Sequence, residues 1–178
     1  MKRPSTAGIP KHVGATKAIA TRQRFVGTVP LAQLTRVAAQ LADTTGNLDV
    51  DLEAGKDAAG LAWLRGGIKG ALSLTCQRGL HPMPWACEVA TQLRLVASES
   101  EEEQAMKEAE AFLVEDDQLP LREIVEDEVL LALPMLPRCA ACEDEVGSAP
   151  AAPAAAVAGT EGPRRENPFA ALKGKLKK

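Results

Sequence analysis

Residues 47–53 read Asn47-Leu-Asp-Val-Asp-Leu-Glu53, a strict alternation of aliphatic and polar side chains. Successive side chains of a β-strand point to opposite faces, so the three aliphatic residues face a core while the acidic residues between them face water. A half-buried strand of this kind is typical of an antiparallel sheet with one solvated face. The stretch therefore predicts a half-buried strand in such a sheet.

Further strands are predicted on both sides of this stretch. The pair Gly66-Gly67 readily supplies positive φ and predicts a two-residue hairpin turn, with Pro82 and Pro84 in the loop after its second arm. The remaining predicted strands are Arg24–Val29, Leu61–Arg65, Ile68–Cys76, Cys87–Val96 and Ala111–Val114. Because these strands follow one another along the chain, they are expected to pair as antiparallel neighbours.

Helical periodicity occurs near each end of this strand-rich region. A helix is predicted from Pro30, and a second from Leu119-Pro120 to Leu133, ended by Pro134. The apolar face of the first is formed by Leu31, Leu34, Val37, Ala38 and Leu41. The acidic stretch Ser98–Glu103 is predicted to be a loop or the start of a helix. The fold class is therefore α+β, with an antiparallel sheet of about five to six strands and two packed helices.

Composition divides the 178-residue chain into four parts. Residues 1–22 form a basic N-terminal arm, and residues 23–142 are long enough for one domain with a real core. Residues 143–166 are a linker rich in Ala and Pro, with too little apolar bulk to form a core. Residues 167–178 form a basic docking tail, and the C-terminal tail is expected to be disordered when free.

Charge is distributed unevenly along the chain. Residues 1–36 hold seven basic and no acidic residues, residues 37–146 have a net charge of −14, and residues 147–178 have a net charge of +4. Basic ends suit a polyanion such as RNA, whereas the acidic body suits a basic protein. A solvated acidic face on an ordinary globular protein explains the charge of the body equally well.

The sequence contains neither a run of about 18 apolar residues nor a secretory signal in its first 23 residues. We therefore expect a cytoplasmic protein that does not contact the membrane.

The tail, Asn167-Pro-Phe-Ala-Ala-Leu-Lys-Gly-Lys-Leu-Lys-Lys178, has the pattern of a short basic amphipathic helix. Asn167 is a good N-cap residue, and Pro168 occupies the first helical position, where its missing N–H costs nothing. The apolar face is formed by Phe169, Leu172 and Leu176, and the basic residues are Lys173, Lys175, Lys177 and Lys178. The pattern predicts a docking element; the alternative is a disordered tail that only solubilises the protein.

Glu128 interrupts the apolar stripe of the second predicted helix, which is formed by Leu121, Ile124, Val125, Leu131 and Ala132. A carboxylate on a core-facing stripe needs a partner, because burial without one is costly. Glu128 is therefore either part of a binding groove or a residue at the edge of the stripe that reaches solvent or an arginine. Its neighbours Glu126 and Asp127 are predicted to face water.

The cysteines are Cys76, Cys87, Cys139 and Cys142. Cys139-Ala-Ala-Cys142 has the spacing of a metal knuckle, and Cys76-Gln-Arg-Gly79 has the same spacing without its second thiol. Cys76, Cys139 and Cys142, with His81 or Cys87 as a fourth ligand, are therefore a weak candidate zinc site. The simplest expectation is no cofactor and four reduced cytosolic thiols.

No catalytic pattern stands out in the sequence. It has two histidines, no glycine-rich phosphate loop, and no nucleophile with an evident base. The residues alone therefore predict an α+β binding protein that is not an enzyme and has no small-molecule substrate.

Three segments resemble the YceD family, the large ribosomal RNA subunit accumulation proteins of bacteria and plastids. They are Cys76–Gly79, the helix Val125-Glu-Asp-Glu-Val-Leu-Leu-Ala-Leu-Pro134 with Glu126, Asp127 and Glu128, and the tail 167–178. The order and approximate spacing are those of the family, and the resemblance runs from about Arg22 to the C-terminus. Many members carry a second cysteine where this chain has Gly79.

The resemblance implies a non-enzymatic role in synthesis, processing or stability of 23S rRNA, and hence in ribosome biogenesis. The implied partners are 23S rRNA or its precursor, a basic large-subunit ribosomal protein, or both. The alternative function is a zinc- or thiol-based regulatory protein, such as a small redox protein, that uses Cys76, Cys139 and Cys142.

Overall fold

A five-stranded sheet is the largest element of the computed structural model, which describes residues 8–144. The strands are β1 (Val13–Gly14), β2 (Arg24–Pro30), β3 (Asn47–Lys56), β4 (Ala62–Thr75), β5 (Pro82–Val96), β6 (Ala111–Leu113) and β7 (Gln118–Leu119). The helices are α1 (Ala15–Ala20), α2 (Thr35–Ala38), α3 (Glu99–Ala105), α4 (Leu121–Ala132) and α5 (Ala140–Asp144). Contacts divide the chain into Met1–Glu143 and Asp144–Lys178, and the fold described is that of the first unit.

The sheet has the strand order β2-β3-β4-β5-β6, which confirms the α+β class. The strict alternation of residues 47–53 is also confirmed, because Leu48, Val50 and Leu52 are all buried in β3. The sheet is mixed, however, rather than purely antiparallel. β6 pairs parallel to β5, because the connection through α3 carries the chain back past the paired end of β5 before β6 begins beside Arg94.

The hairpin turn predicted at Gly66-Gly67 is wrong. β4 runs through both glycines without a turn, and Gly66 pairs with Leu52 on one side and Thr91 on the other. A Cβ at Gly66 would lie 2.0 Å from the carbonyl oxygen of Asp51, so the backbone of β3 approaches too closely for any side chain. The glycine therefore marks a close strand contact and not a turn.

Pro82 and Pro84, predicted in a loop, lie in β5 opposite Thr75 and Ser73 of β4. Proline lacks an N–H and is tolerated where a strand has a free side. Among residues 8–144, β6 pairs with β5 only at residues 94–96, so the first part of β5 offers such a side.

The single helix predicted from Pro30 is also wrong. It is divided into a 3₁₀ turn, Leu31–Gln33, and the four-residue α2. The division falls at Leu34, whose φ of −99° and ψ of 84° are not helical. Leu31, Leu34 and Val37 are nevertheless all buried, as their spacing predicted.

α4 packs its apolar stripe into the core, and its predicted position is confirmed. Leu121, Ile124, Val125 and Val129 are buried, and they belong to the same hydrophobic cluster as the inward residues of the sheet. Leu131, predicted in this stripe, is instead 75 % exposed. None of the helices within residues 8–144 has the length and apolar character that crossing a membrane requires.

Residues 13–20, which lie in the segment predicted as a basic arm, are part of the fold. β1 pairs antiparallel with β7, with Val13 opposite Leu119. The start of α1 is held by Asp117, whose carboxylate accepts the backbone N–H and the hydroxyl of Thr16, each at 2.7 Å. These hydrogen bonds lower the pKa of Asp117, because they favour its ionised form.

Candidate functional site

The structure brings together the three cysteines that the sequence grouped by their spacing. The Sγ atoms of Cys76, Cys139 and Cys142 all lie within 4.8 Å of one another. Cys76 follows the last residue of β4 and is buried. Cys139 directly precedes α5, Cys142 lies within it, and both are half-buried. Two segments separated by about 60 residues of sequence thus form one thiol cluster.

Hydrogen bonds to two backbone carbonyl oxygens hold these two segments against each other. The N–H of Gln77 donates to the carbonyl oxygen of Pro137 at 2.8 Å. The guanidinium of Arg78 donates to the carbonyl oxygen of Cys142 at 3.0 Å. The proximity of the thiols is therefore supported by contacts that do not involve sulfur.

The loop after β4 is a tight turn around the sulfur of Cys76. The N–H of Cys76 donates to His81 O at 2.9 Å, and the N–H of Leu80 donates to Cys76 O at 2.8 Å. The loop closes through Leu80, which has a positive φ of 53°. In this arrangement the backbone N–H of Gly79 points at Cys76 Sγ, at 3.4 Å.

Cys76 Sγ accepts two backbone hydrogen bonds, from Gly79 and from Cys139, the second at 3.5 Å. The Gly79 N–H, followed by that of Cys139, lowers the pKa of Cys76 to about 6, because N–H donors stabilise a thiolate. The pKa of Cys142 is raised to about 11, chiefly by its contact with the Cys139 thiol and then by burial. The cluster therefore carries thiolate character at Cys76, which suits either a soft metal ion or a thiol reaction.

The imidazole of His81 lies beside this cluster, in space that Gly79 leaves open. A Cβ at residue 79 would lie 2.5 Å from His81 Nδ1 and 3.2 Å from Cys142 Sγ. The ring nitrogen and the Cys142 sulfur thus both lie near the position that a side chain of residue 79 would take. His81 itself is exposed, and its ring nitrogens are not within the 4.8 Å group that the three sulfurs form.

Cys87, the other candidate for a fourth ligand, is excluded by its position. It lies within β5 opposite Gly70 and is buried in the hydrophobic core. Burial raises the pKa of the Cys87 thiol, which keeps it protonated. Cys87 is a core residue.

Glu128 is half-buried on α4, and its partner is Thr91 of β5 rather than an arginine. The Thr91 hydroxyl donates to Glu128 Oε2 at 3.1 Å. Burial raises the pKa of Glu128, and the hydrogen bond from Thr91 opposes this effect in part. Glu128 therefore links β5 to α4. Its partner is Thr91, whereas one of the two sequence interpretations named an arginine.

Glu126 was predicted to face water, and this prediction is wrong because the residue is buried. It is 7 % exposed, and its Oε1 accepts the backbone N–H groups of Arg36 at 2.6 Å and Val37 at 3.2 Å. The Arg36 guanidinium contacts both Glu126 and the half-exposed Asp127. No local signal in the sequence marks this contact, because Arg36 and Glu126 are 90 residues apart. Leu34 precedes α2 and has no side chain that caps a helix, so Glu126 supplies the missing acceptor.

The predicted docking residues, Asn167, Pro168, Phe169, Leu172, Lys173, Lys175, Leu176, Lys177 and Lys178, lie outside the described residues. The same holds for residues 145–166 of the predicted linker. The basic tail therefore remains a prediction from the sequence.

Comparison with known proteins identifies one family. The family model described as "Large ribosomal RNA subunit accumulation protein YceD" matches residues 64–177, which is well over half of the chain. The matched segment includes the thiol cluster, α4 and all but the last residue of the predicted tail. No curated protein and no solved structure matches the chain.

Proposed function

The chain belongs to the YceD family, and we propose that it is a non-enzymatic accessory factor in the synthesis, processing or stability of 23S rRNA. By this role it acts in assembly of the large ribosomal subunit, in the cytoplasm. The observation that carries the proposal is the match of the family model over residues 64–177. The family description names accumulation of large-subunit rRNA and does not name a reaction.

The acidic body suits a basic ribosomal protein as one partner. Residues 37–146 carry a net charge of −14, and exposed acids occur at Glu99 and Glu103 of α3 and at Glu123 of α4. RNA would be repelled by this surface, whereas the basic proteins of the large subunit would be attracted to it. We therefore assign protein contacts to the body.

The basic ends of the chain suit 23S rRNA or its precursor. Residues 147–178 carry a net charge of +4, and the sequence of 167–178 has the pattern of a basic amphipathic helix. Because an isolated helix of twelve residues is marginal in water, we propose that this segment becomes helical only against a partner. In the proposed role the tail docks onto the assembling particle while the body holds a ribosomal protein.

Sucrose-gradient sedimentation of the tagged full-length protein tests the role. The protein is expected with free or precursor large subunits rather than with translating 70S ribosomes. Deletion of its gene is expected to lower the ratio of 23S to 16S rRNA, and the wild-type chain supplied in trans is expected to restore it. An unchanged ratio in a clean deletion without a paralogue would contradict the proposal.

The thiol cluster favours a second candidate function, regulation through thiol chemistry or zinc. Cys76 has a lowered pKa and lies within 4.8 Å of two further sulfurs, which is an arrangement found in redox and metal sites. Mutation of Cys139 separates the two candidates. If regulation is the main function, the Cys139→Ser variant fails to restore the ratio of 23S to 16S rRNA even where it is folded. If the cluster is only structural, this ratio follows the amount of folded variant in the cell.

A further inference from the structure

We propose that Cys76, Cys139, Cys142 and His81 bind one Zn²⁺ ion. Three sulfurs within 4.8 Å of one another already approximate one face of a coordination tetrahedron. Zinc–thiolate bonds of about 2.3 Å place the sulfurs of a tetrahedral site about 3.8 Å apart. The cluster therefore needs only small side-chain movements to close around a metal ion.

The loops around the thiols have the hydrogen bonds that a thiolate ligand needs. The backbone N–H groups of Gly79 and Cys139 both donate to Cys76 Sγ. Such donors orient a ligand and disperse its negative charge. The N–H of Cys142 donates to Cys139 O at 2.9 Å, and this turn directs the thiols of Cys139 and Cys142 toward the same place.

His81 supplies the fourth ligand because residue 79 has no side chain. The position that a Cβ at residue 79 would take is 2.5 Å from His81 Nδ1 and 3.2 Å from Cys142 Sγ. In the proposed site the imidazole turns toward the thiols and completes the coordination shell. A donor set of three thiolates and one imidazole is typical of structural zinc sites and is softer than the oxygen sites that suit Mg²⁺ or Ca²⁺.

Binding requires no electron transfer. Zn²⁺ forms three bonds to sulfur and one to the neutral imidazole, and the protons of the thiols that are still protonated pass to solvent. The bound ion links the end of β4 to α5, which the backbone contacts between Gln77 and Pro137 already hold together. The inference is independent of the role in rRNA accumulation, because metal content is its readout.

The test uses the full-length chain, purified under reducing conditions, supplied with zinc chloride and desalted before elemental analysis. We expect about one zinc ion per chain in the wild type and in the control variant Cys87→Ala, which removes a thiol outside the cluster. Cys139→Ser and Cys142→Ser are expected to lose stoichiometric zinc. A folded, reduced wild type without zinc, or a Cys139→Ser variant that retains it, would overturn the proposal.

His81 is tested separately, because its exposed side chain can be changed without risk to the core. His81→Ala is expected to weaken zinc affinity at least tenfold in competition with a chromogenic chelator. Gly79→Ala is expected to act in the same direction, since its methyl group displaces the ring while all three thiols remain. Cobalt substitution should give thiolate charge-transfer bands in the wild type that shift on His81→Ala. If zinc affinity and cobalt spectra are unchanged in His81→Ala, His81 is not a ligand and the proposed ligand set is contradicted.

Discussion

Glu126 Oε1 on α4 accepts the backbone N–H of Arg36 at 2.6 Å and thereby caps α2 across 90 residues of sequence. The N–H groups of the first turn of a helix have no partner within the helix. Leu34 provides no side-chain cap, so the buried carboxylate of Glu126 takes the role that Ser, Thr, Asp or Asn has at most helices. One residue therefore joins α4 to the connection between β2 and β3.

Replacing Glu126 should destabilise the domain. Glu126→Ala leaves the N–H groups of Arg36 and Val37 without their acceptor, at a cost of about 2–3 kcal/mol in the free energy of unfolding. Glu126→Gln keeps one acceptor oxygen and should cost less. Urea denaturation measures the difference, with Asp127→Ala as the matched control, for which less than about 1 kcal/mol is expected because that pair is exposed. Equal losses for Glu126→Ala and Asp127→Ala would contradict the capping role.

Glu128 should make stability depend on pH. Burial raises its pKa in the folded state, so the ionised carboxylate is disfavoured there. Stability is therefore highest below the ordinary glutamate pKa of about 4.3 and falls as the pH rises through the raised value. Thermal melts should show Glu128→Gln more stable than wild type near pH 8, with the difference vanishing near pH 4. If Glu128→Gln and the wild type differ in stability by the same amount from pH 4 to pH 8, burial of the Glu128 charge is not the cause of that difference.

Gly66 should tolerate no side chain. Gly66→Ala places a methyl group against the backbone of β3 and is expected to cost on the order of 3 kcal/mol. The adjacent Gly67→Ala is the control, because its Cβ would meet the nearest atom, Val89 O, at an ordinary 3.5 Å. Chemical denaturation of the two variants compares them directly, and similar stabilities would refute the close approach.

Neutralising exposed acids should weaken capture of basic ribosomal proteins. The variant Glu99→Gln, Glu103→Gln, Glu123→Gln removes three negative charges from the surface and leaves the buried Glu126 in place. Attraction between exposed charges is screened within about 8–10 Å at physiological salt, so binding should be weaker and less dependent on salt in the variant. Pull-downs over a salt series measure this effect. If binding changes neither with salt nor in the variant, the acidic surface only keeps the protein soluble.

The tail should act without contributing to the fold. Burial of Phe169 against a partner contributes about 1.5–3 kcal/mol, so Phe169→Ala should weaken particle binding roughly tenfold or more while the melting temperature stays constant. Ala171→Ser, on the opposite face of the predicted helix, is the control. Truncation after Gly162 should have the largest effect. A truncated protein that restores 23S rRNA as well as the full chain would refute docking by the tail.

Local patterns predicted the elements that depend on nearby residues. Residues 47–53 and α4 are each buried on one face. Apolar residues therefore recur in these segments with the period of a strand or of a helix. Gly66-Gly67 misled because paired glycines accompany both turns and close strand contacts, and only the position of β3 distinguishes them. The parallel direction of β6 depends on the path of the chain through α3, and no local sequence pattern predicts that path.

Long-range partners were the least predictable part of the candidate site. Glu126 and Arg36 are 90 residues apart, and the helical pattern around Glu126 contains no sign of the uncapped α2 that it meets. The spacing of Cys139 and Cys142 did indicate a thiol group, and Cys76 was included by a similar spacing. The sequence left His81 and Cys87 open as fourth ligands, and only the place of Cys87 within β5 and the turn through Gly79 and Leu80 distinguish them.

The pairing of Val13 with Leu119 sets a time at which this domain can be completed during its synthesis. β1 can pair with β7 only after more than a hundred further residues have left the ribosome. Glu126, which caps α2, follows β7 in the chain. Contacts this distant in sequence form slowly, because a long loop must close before they contribute. Until the residues of β7 have been synthesised, the N-terminal segment therefore cannot complete the pairing of β1.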